Sequence, residues 1–135
     1  MENLVRRLGR IISLTKKKDD WTTRRMERLE KALELWQKNK GWRKPVRTVG
    51  EVAESLGTDT GILHCYFKER MGIDFRTWRT RLRLEDAKRM LLERPDLQAS
   101  EIARRVGFSD RSNFSRQFLA YTGFTPGRWR ERGRK

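Results

Sequence analysis

The chain repeats itself, and that repeat is the tightest constraint on its fold. Glu51, Val52, Ala53, Leu56 and Gly57 recur fifty residues later as Glu101, Ile102, Ala103, Val106 and Gly107. Asp59, Leu63, Phe67, Gly72, Trp78 and Arg79 recur fifty-one residues later as Asp110, Phe114, Phe118, Gly123, Trp129 and Arg130. Turns accept insertions and helices do not, so the one-residue slip marks a turn between two helices. Val49, Val52, Ala53 and Leu56 are spaced by three and four, as are Ile102, Ala103 and Val106, which is the spacing of amphipathic helices. Gly57 and Gly107 then offer the positive φ that ends a helix, and Asp59 and Asp110 offer an oxygen to the free N–H groups of the next one. Each copy therefore reads as a helix-turn-helix followed by a short helix bearing tryptophan.

Two further helices are expected around the copies. Residues 75 to 93 place Trp78, Leu82, Leu84, Ala87, Leu91 and Leu92 largely on one side and stop before Pro95, whose predecessor resists helical geometry. Trp21 to Lys40 carries Met26, Leu29, Leu33 and Trp36 as a stripe closed by Gly41, a support helix for the first copy. Ahead of it, Leu4, Val5, Leu8, Ile11 and Ile12 form an apolar face and Arg6, Arg7 and Arg10 a basic one, with KKKDD following as a solvated break. That segment reads either as a membrane-surface or dimer-forming helix or as the end of a linker. The expected architecture is all-α. It comprises a basic amphipathic segment or linker over 1–20, a support helix over 21–45 and a first helix-turn-helix over 46–74. A connecting helix over 75–94 and a second helix-turn-helix with a C-terminal helix over 95–135 complete it.

Charge narrows the partner. The 33 Lys and Arg against 18 Asp and Glu leave a formal charge of +15 in 135 residues, a balance suited to a polyanion such as nucleic acid. The excess is uneven: residues 51–93 hold eight basic and eight acidic side chains, whereas 94–135 hold ten and four. The second copy and the N-terminal region are thus expected to supply most of the phosphate attraction. A single cysteine, Cys65, excludes an internal disulfide, and with one neighbouring histidine, His64, it falls short of a zinc ligand set. No metal, cofactor or small-molecule ligand is expected. Catalysis has no basis either, since His64 and Cys65 are adjacent on a helix and point apart, and no glycine-rich phosphate loop is present. With no apolar tract near the roughly 20 residues that span a bilayer and no secretory signal, the cytoplasm is the expected compartment.

The helix over residues 110–121 separates two chemistries. Phe114, Phe118 and Tyr121 fall on one face, expected to be core, while Arg111, Ser112, Ser115 and Arg116 fall on the other. A short cationic ridge of this kind fits a B-DNA major groove: arginine can donate two hydrogen bonds to guanine, and serine allows close approach. Any solvated surface helix shows the same split. Two copies, each with glycine and cap in place, weigh toward DNA. Trp78 and Trp129, at equivalent places, are expected to pack beneath the second helix of each copy. Pro126 after Thr125 suits a first helical position, either as a plain cap or aimed at a phosphate.

Ile102, Ala103, Gly107, Phe108, Phe114, Arg116, Phe118, Gly123, Pro126 and Arg130 together resemble the second helix-turn-helix of AraC/XylS-type transcriptional regulators. Residues 48–91 resemble that family's first helix-turn-helix and connecting helix, with Arg83, Ala87, Leu91 and Leu92 matching its linker pattern. The resemblance covers about residues 46 to 132. It implies a sequence-specific double-stranded DNA-binding regulator, an activator, that sets two recognition helices into successive major grooves. A non-specific nucleic-acid-binding or architectural protein is the alternative. A 19-residue connecting helix is about 28 Å long against a groove repeat of about 34 Å. Carried over by position, Arg111, Ser112, Ser115 and Arg116 would read bases from the second unit, and Thr60 and His64 from the first. Lys68, Arg128 and Arg130 would contact the DNA backbone. Gly61 and Cys65 stand where the family often has larger or stronger donors, so the first unit is expected to read weakly. The resemblance also implies RNA polymerase as a partner and a sensory or dimerising region accompanying such domains.

Overall fold

A computed structural model describes the backbone of residues 2–45 and 47–134 and the side chains of 20–45 and 47–134. The described chain is helical, without strands. Helix α1 (Glu2–Lys38) leads to a 3₁₀ turn at Gly41–Arg43 and then to α2 (Val49–Ser55) and α3 (Thr60–Tyr66), the latter extended by a π-helical turn over Phe67–Met71. Helix α4 (Phe75–Glu93) joins this unit to α5 (Ala99–Val106), α6 (Arg111–Thr122) and α7 (Pro126–Gly133).

The paired positions of the repeat do paired work. Asp59 accepts from the Ile62 amide at 2.9 Å and Asp110 from the Ser112 amide at 2.9 Å, so α3 and α6 start on matching caps. After α2 and α5 the chain closes alike, with Thr58 N–H bonded to Ala53 O at 3.0 Å and Phe108 N–H to Ala103 O at 2.9 Å. Leu63 and Phe114 are buried, as are Phe67 and Phe118. Trp78 and Trp129 each lie half-buried against a core, the packing role expected of them.

There are two cores, and α4 belongs to both. Met26, Leu29 and Leu33 of α1 meet Val52, Leu63, Phe67 and Phe75 in the first. Leu84, Ala87 and Leu91 of α4 meet Ile102, Val106, Phe114 and Phe118 in the second. Each fully buried side chain of this size contributes roughly 1.5–3 kcal/mol. Between the cores sits the one buried charged residue among the described residues, Asp86, 5% exposed. It accepts from Trp42 Nε1 at 2.9 Å, from Arg43 Nε at 2.7 Å and Nη2 at 2.9 Å, and from Arg89 Nη2 at 2.8 Å. One turn earlier on α4, Arg83 donates to the carbonyls of Trp42 at 2.7 Å and Lys44 at 3.1 Å. The 3₁₀ turn between α1 and α2 is thereby fastened to the middle of α4.

Gly107 abuts the same junction. Its φ of 114° is left-handed, and a Cβ there would stand 2.3 Å from Trp42 O and 2.5 Å from Arg83 Nε. Glycine is needed at this turn for conformation and for room together.

Several expectations are corrected. The break at KKKDD is absent, since α1 runs through it; no Gly or Pro occurs between Gly9 and Gly41, and a charged run is solvated as well on a helix as in a loop. The apolar and basic faces assigned to residues 1–19 concern side chains outside the described residues. Gly41 does not itself turn the chain: Lys40 takes the left-handed conformation at φ 55°, and Gly41 is there because a Cβ would sit 2.3 Å from the Trp36 ring. Leu92 is 46% exposed instead of facing the core, and a Cβ on Gly133 of α7 would meet it at 2.1 Å.

Burial alone would raise the Asp86 carboxyl, but hydrogen bonds from Arg43, Trp42 and Arg89 outweigh it and hold the group below the usual carboxylate range. A depressed folded-state pKa stabilises above the unfolded value of about 3.9 and is lost as pH falls through the lower, folded value. Asp86→Ala is expected to lower unfolding free energy by about 3 kcal/mol near pH 7 in urea denaturation, with the gap to the unsubstituted protein narrowing below about pH 4. Gly107→Ala should destabilise more than Gly123→Ala, which is also left-handed at φ 81° but has nothing near its Cβ position.

Candidate nucleic-acid interface

The exposed ridge of α6 follows from what its other side buries. Phe114 and Phe118, 1% and 0% exposed, point into the second core. At 100° per residue the opposite direction belongs to Ser112, Arg116 and Ala120, with Leu119 at its edge, all exposed. Arg111 is exposed in the first turn, and Ser115 lies half-buried on the flank. Leu119, Ala120 and the half-buried Asn113 were not among the residues singled out from the sequence. The signal for Ala120 is its place one turn beyond Arg116. Asn113 is held in place by Gln117, whose Nε2 donates to its Oδ1 at 2.9 Å.

Tyr121 leaves the face it was assigned to. It is 42% exposed, and its hydroxyl donates to Glu85 Oε1 at 2.7 Å. A tyrosine has a polar end that helical periodicity ignores, and here that end finds a carboxylate on α4.

In α3 the positions matching Ser112 and Arg116 are Gly61 and Cys65. Gly61 presents no side chain. The half-buried Cys65 donates from Sγ to Glu69 Oε1 at 3.5 Å, and burial, then that hydrogen bond, push its thiol up, so it stays protonated near neutral pH. Thr60, His64 and Lys68 are exposed beside them, and His64 and Lys68 line a small cleft with Asp74. Arg25 of α1 pairs with the cap residue Asp59 at 3.3 Å and Arg70 pairs with Glu30 at 3.5 Å, bracing α3 on its support helix.

Internal pairing sorts the cations of the second unit. Arg104 and Arg105 are paired with Glu101, and Arg94 with Asp96 at 2.9 Å. Arg132 lies over the Phe124 ring at 4.6 Å. Arg111, Arg116 and Arg128 are exposed and make no side-chain hydrogen bond or ion pair among the described residues. Thr125 fills the cap of α7, accepting from the Arg128 amide at 3.2 Å.

Arg130 is a correction. The family resemblance implies a DNA-backbone contact for it, but its Nε donates to Leu91 O at 3.0 Å and its Nη2 to Arg94 O at 3.1 Å and Leu97 O at 2.7 Å. It clamps α7 to carbonyls of the last turn of α4 and of the loop that follows. Its repeat partner Arg79 likewise donates to Arg47 O at 2.9 Å. Among the described residues no group of acidic, histidine or cysteine side chains could hold a metal ion, and no helix is long and apolar enough to cross a membrane.

Two capped, glycine-turned helix pairs, each presenting an exposed second helix and joined by one long helix, define a tandem helix-turn-helix domain. The helix-turn-helix domain family matches residues 52–132, and the chain belongs to the AraC/XylS type of that family, whose members are DNA-binding transcriptional regulators and not enzymes. It is 42% identical over 67 residues to the transcriptional regulatory protein YesN of Bacillus subtilis (strain 168), a match covering 49% of this chain and 18% of that one. It is 34% identical over 84 residues to the transcriptional activator NphR of Rhodococcus sp, covering 62% of this chain and 24% of that one. Among solved structures, the C-terminal domain of AraT, a response regulator from Geobacillus stearothermophilus, superposes with a TM-score of 0.68 at 31% identity, covering 77% of this chain and 84% of that one. The chain thus spans less than a third of the length of these curated relatives.

Arg116→Ala is expected to cost roughly 1–3 kcal/mol of binding and relax preference at one base pair, whereas His64→Ala costs less. Equal losses in a titration against one operator would contradict the inequality of the two units. Arg130→Ala should lower thermal stability and leave the salt dependence of DNA binding unchanged.

Proposed function

We propose that this protein is a sequence-specific double-stranded DNA-binding transcriptional activator that sets α3 and α6 into successive major grooves. The observation that carries the reading is the outward ridge of α6. Ser112 and the unpaired Arg116 stand opposite a fully buried phenylalanine pair, so the base-reading chemistry is rigidly backed. Arg111, Ser112, Ser115 and Arg116 read bases from the second unit, and Thr60 and His64 contribute less from the first. Lys68 and Arg128 contact the backbone.

Activation involves a contact with RNA polymerase, in keeping with the activator NphR among the relatives. The greater length of those relatives supports a reading in which the domain serves a sensory or dimerising region of a larger regulator. No small molecule takes part at the domain itself, and the compartment is the cytoplasm.

Selection of bound duplexes from a random library tests this reading. It should return a preferred site with one strong and one weak half, bound about 10³-fold or more tightly than bulk DNA. A pool without preference, bound with an affinity set only by salt, would show a non-specific architectural protein instead.

A further inference from the structure

The cations of α4 divide into two groups. Arg79 and Arg83 donate to backbone carbonyls, Lys88 pairs with Glu85 at 3.1 Å, and Arg89 pairs with Asp86 at 2.8 Å and Glu93 at 2.6 Å. Arg76 and Arg81 are exposed and make no hydrogen bond or ion pair among the described residues. Both line one open cleft between α4 and α6, of about 370 Å³, with Thr77, Thr80, Gln117 and Tyr121. No acidic side chain is among its described lining residues, and the neighbouring Glu85 accepts from the Tyr121 hydroxyl and from Lys88. The near neutrality of residues 51–93 therefore conceals a local cationic site, because the α4 acids Glu85, Asp86 and Glu93 are paired with Lys88 and Arg89 on the same helix.

The cleft runs from the outward ridge of α6 along the first half of α4, whose cap residue Asp74 lines a second cleft with His64 and Lys68. Ala120, one turn past Arg116 on the outward ridge of α6, is part of its wall. At its α4 end Arg76 lies near the cap residue Asp74, which is itself beside His64 of α3. The Asp74 carboxyl is held below its usual range first by hydrogen bonds from Thr77 and then by the nearby charges of Arg76 and His64. Helix stability does not account for Arg76, since it occupies the first turn of α4, where a cation faces the positive end of the helix dipole.

Resting on the DNA-binding reading above, we propose that this cleft holds the sugar-phosphate backbone crossing between the two major grooves, with Arg76 and Arg81 as its phosphate-binding pair and the threonine hydroxyls as further donors. Two guanidinium groups without partners among the described residues, lining one cleft together with two threonines, are matched in charge and hydrogen-bond geometry to a phosphodiester. The contact carries no sequence information. It fixes the register of both recognition helices on one duplex.

The test is the salt dependence of binding to a single duplex for the unsubstituted protein, Arg76→Ala, Arg81→Ala and the double variant, with Arg104→Ala as a cation outside the cleft. Both side chains are exposed, so folding should persist, and the circular dichroism melt of each variant checks this. The double variant is expected to reduce the magnitude of the log K against log salt slope by about one to two, with base preference unchanged. Arg104→Ala should leave the slope intact, and Arg76→Lys with Arg81→Lys should largely restore it. Ethylation of phosphates between the half-sites should block binding of the unsubstituted protein and matter less to the double variant. An unchanged slope in the double variant, or an equal drop from Arg104→Ala, overturns the proposal. Absence of any preferred site would instead defeat the regulator reading, because the slope can be read on any duplex.

Discussion

A buried carboxylate between two separate apolar cores is the constraint on which the arrangement of this molecule depends. Each core by itself holds one helix-turn-helix together. Neither says how the two should sit relative to each other. Asp86, with its donors Trp42, Arg43 and Arg89, and Arg83, with its carbonyl acceptors, tie the turn after α1 to the centre of α4. Gly107 brings the turn of the second unit against the same backbone. A buried ion pair adds less stability than its distances suggest, because both charges lose water. It is directional, however, and an apolar contact is not, which makes it suited to fixing an angle between units.

The same economy runs through the arginines. In a chain with an excess of fifteen positive charges, guanidinium groups would seem interchangeable. The fold makes them distinct. Arg79, Arg83 and Arg130 are spent on backbone carbonyls at helix ends and turns. Burial, with a smaller push from Arg79, brings Arg83 down to about 10, still charged at neutral pH. Arg111, Arg116 and Arg128 are exposed and have no such acceptor among the described residues. Formal charge by segment thus misstates how many guanidinium groups are left without an internal partner among the described residues.

What could be read from the sequence was whatever repeats or recurs with a helical period. Offsets of fifty and fifty-one located both turns, both caps and both tryptophans, and proline with apolar spacing gave the span of α4 as it stands. Illegible were the contacts that join residues far apart in the chain. Asp86 looks like one more acid on a charged helix until Trp42 and Arg43, more than forty positions away, close around it. Arg130 fits a family motif without revealing that its donors point inward, and Tyr121 follows the phenylalanines in period but finds Glu85 with its hydroxyl. Periodicity reports which side of a helix is apolar and is silent on where a polar end finds its partner.

The central claim is that two unequal recognition helices, braced at one separation, engage the same face of a duplex. Hydroxyl-radical footprinting on a selected operator, repeated after inserting five base pairs between its halves, measures this most directly. The account requires two protected segments about one helical turn apart and loss of the weaker one when the insertion rotates it by half a turn. A single protected segment, or two that survive the insertion, would contradict it.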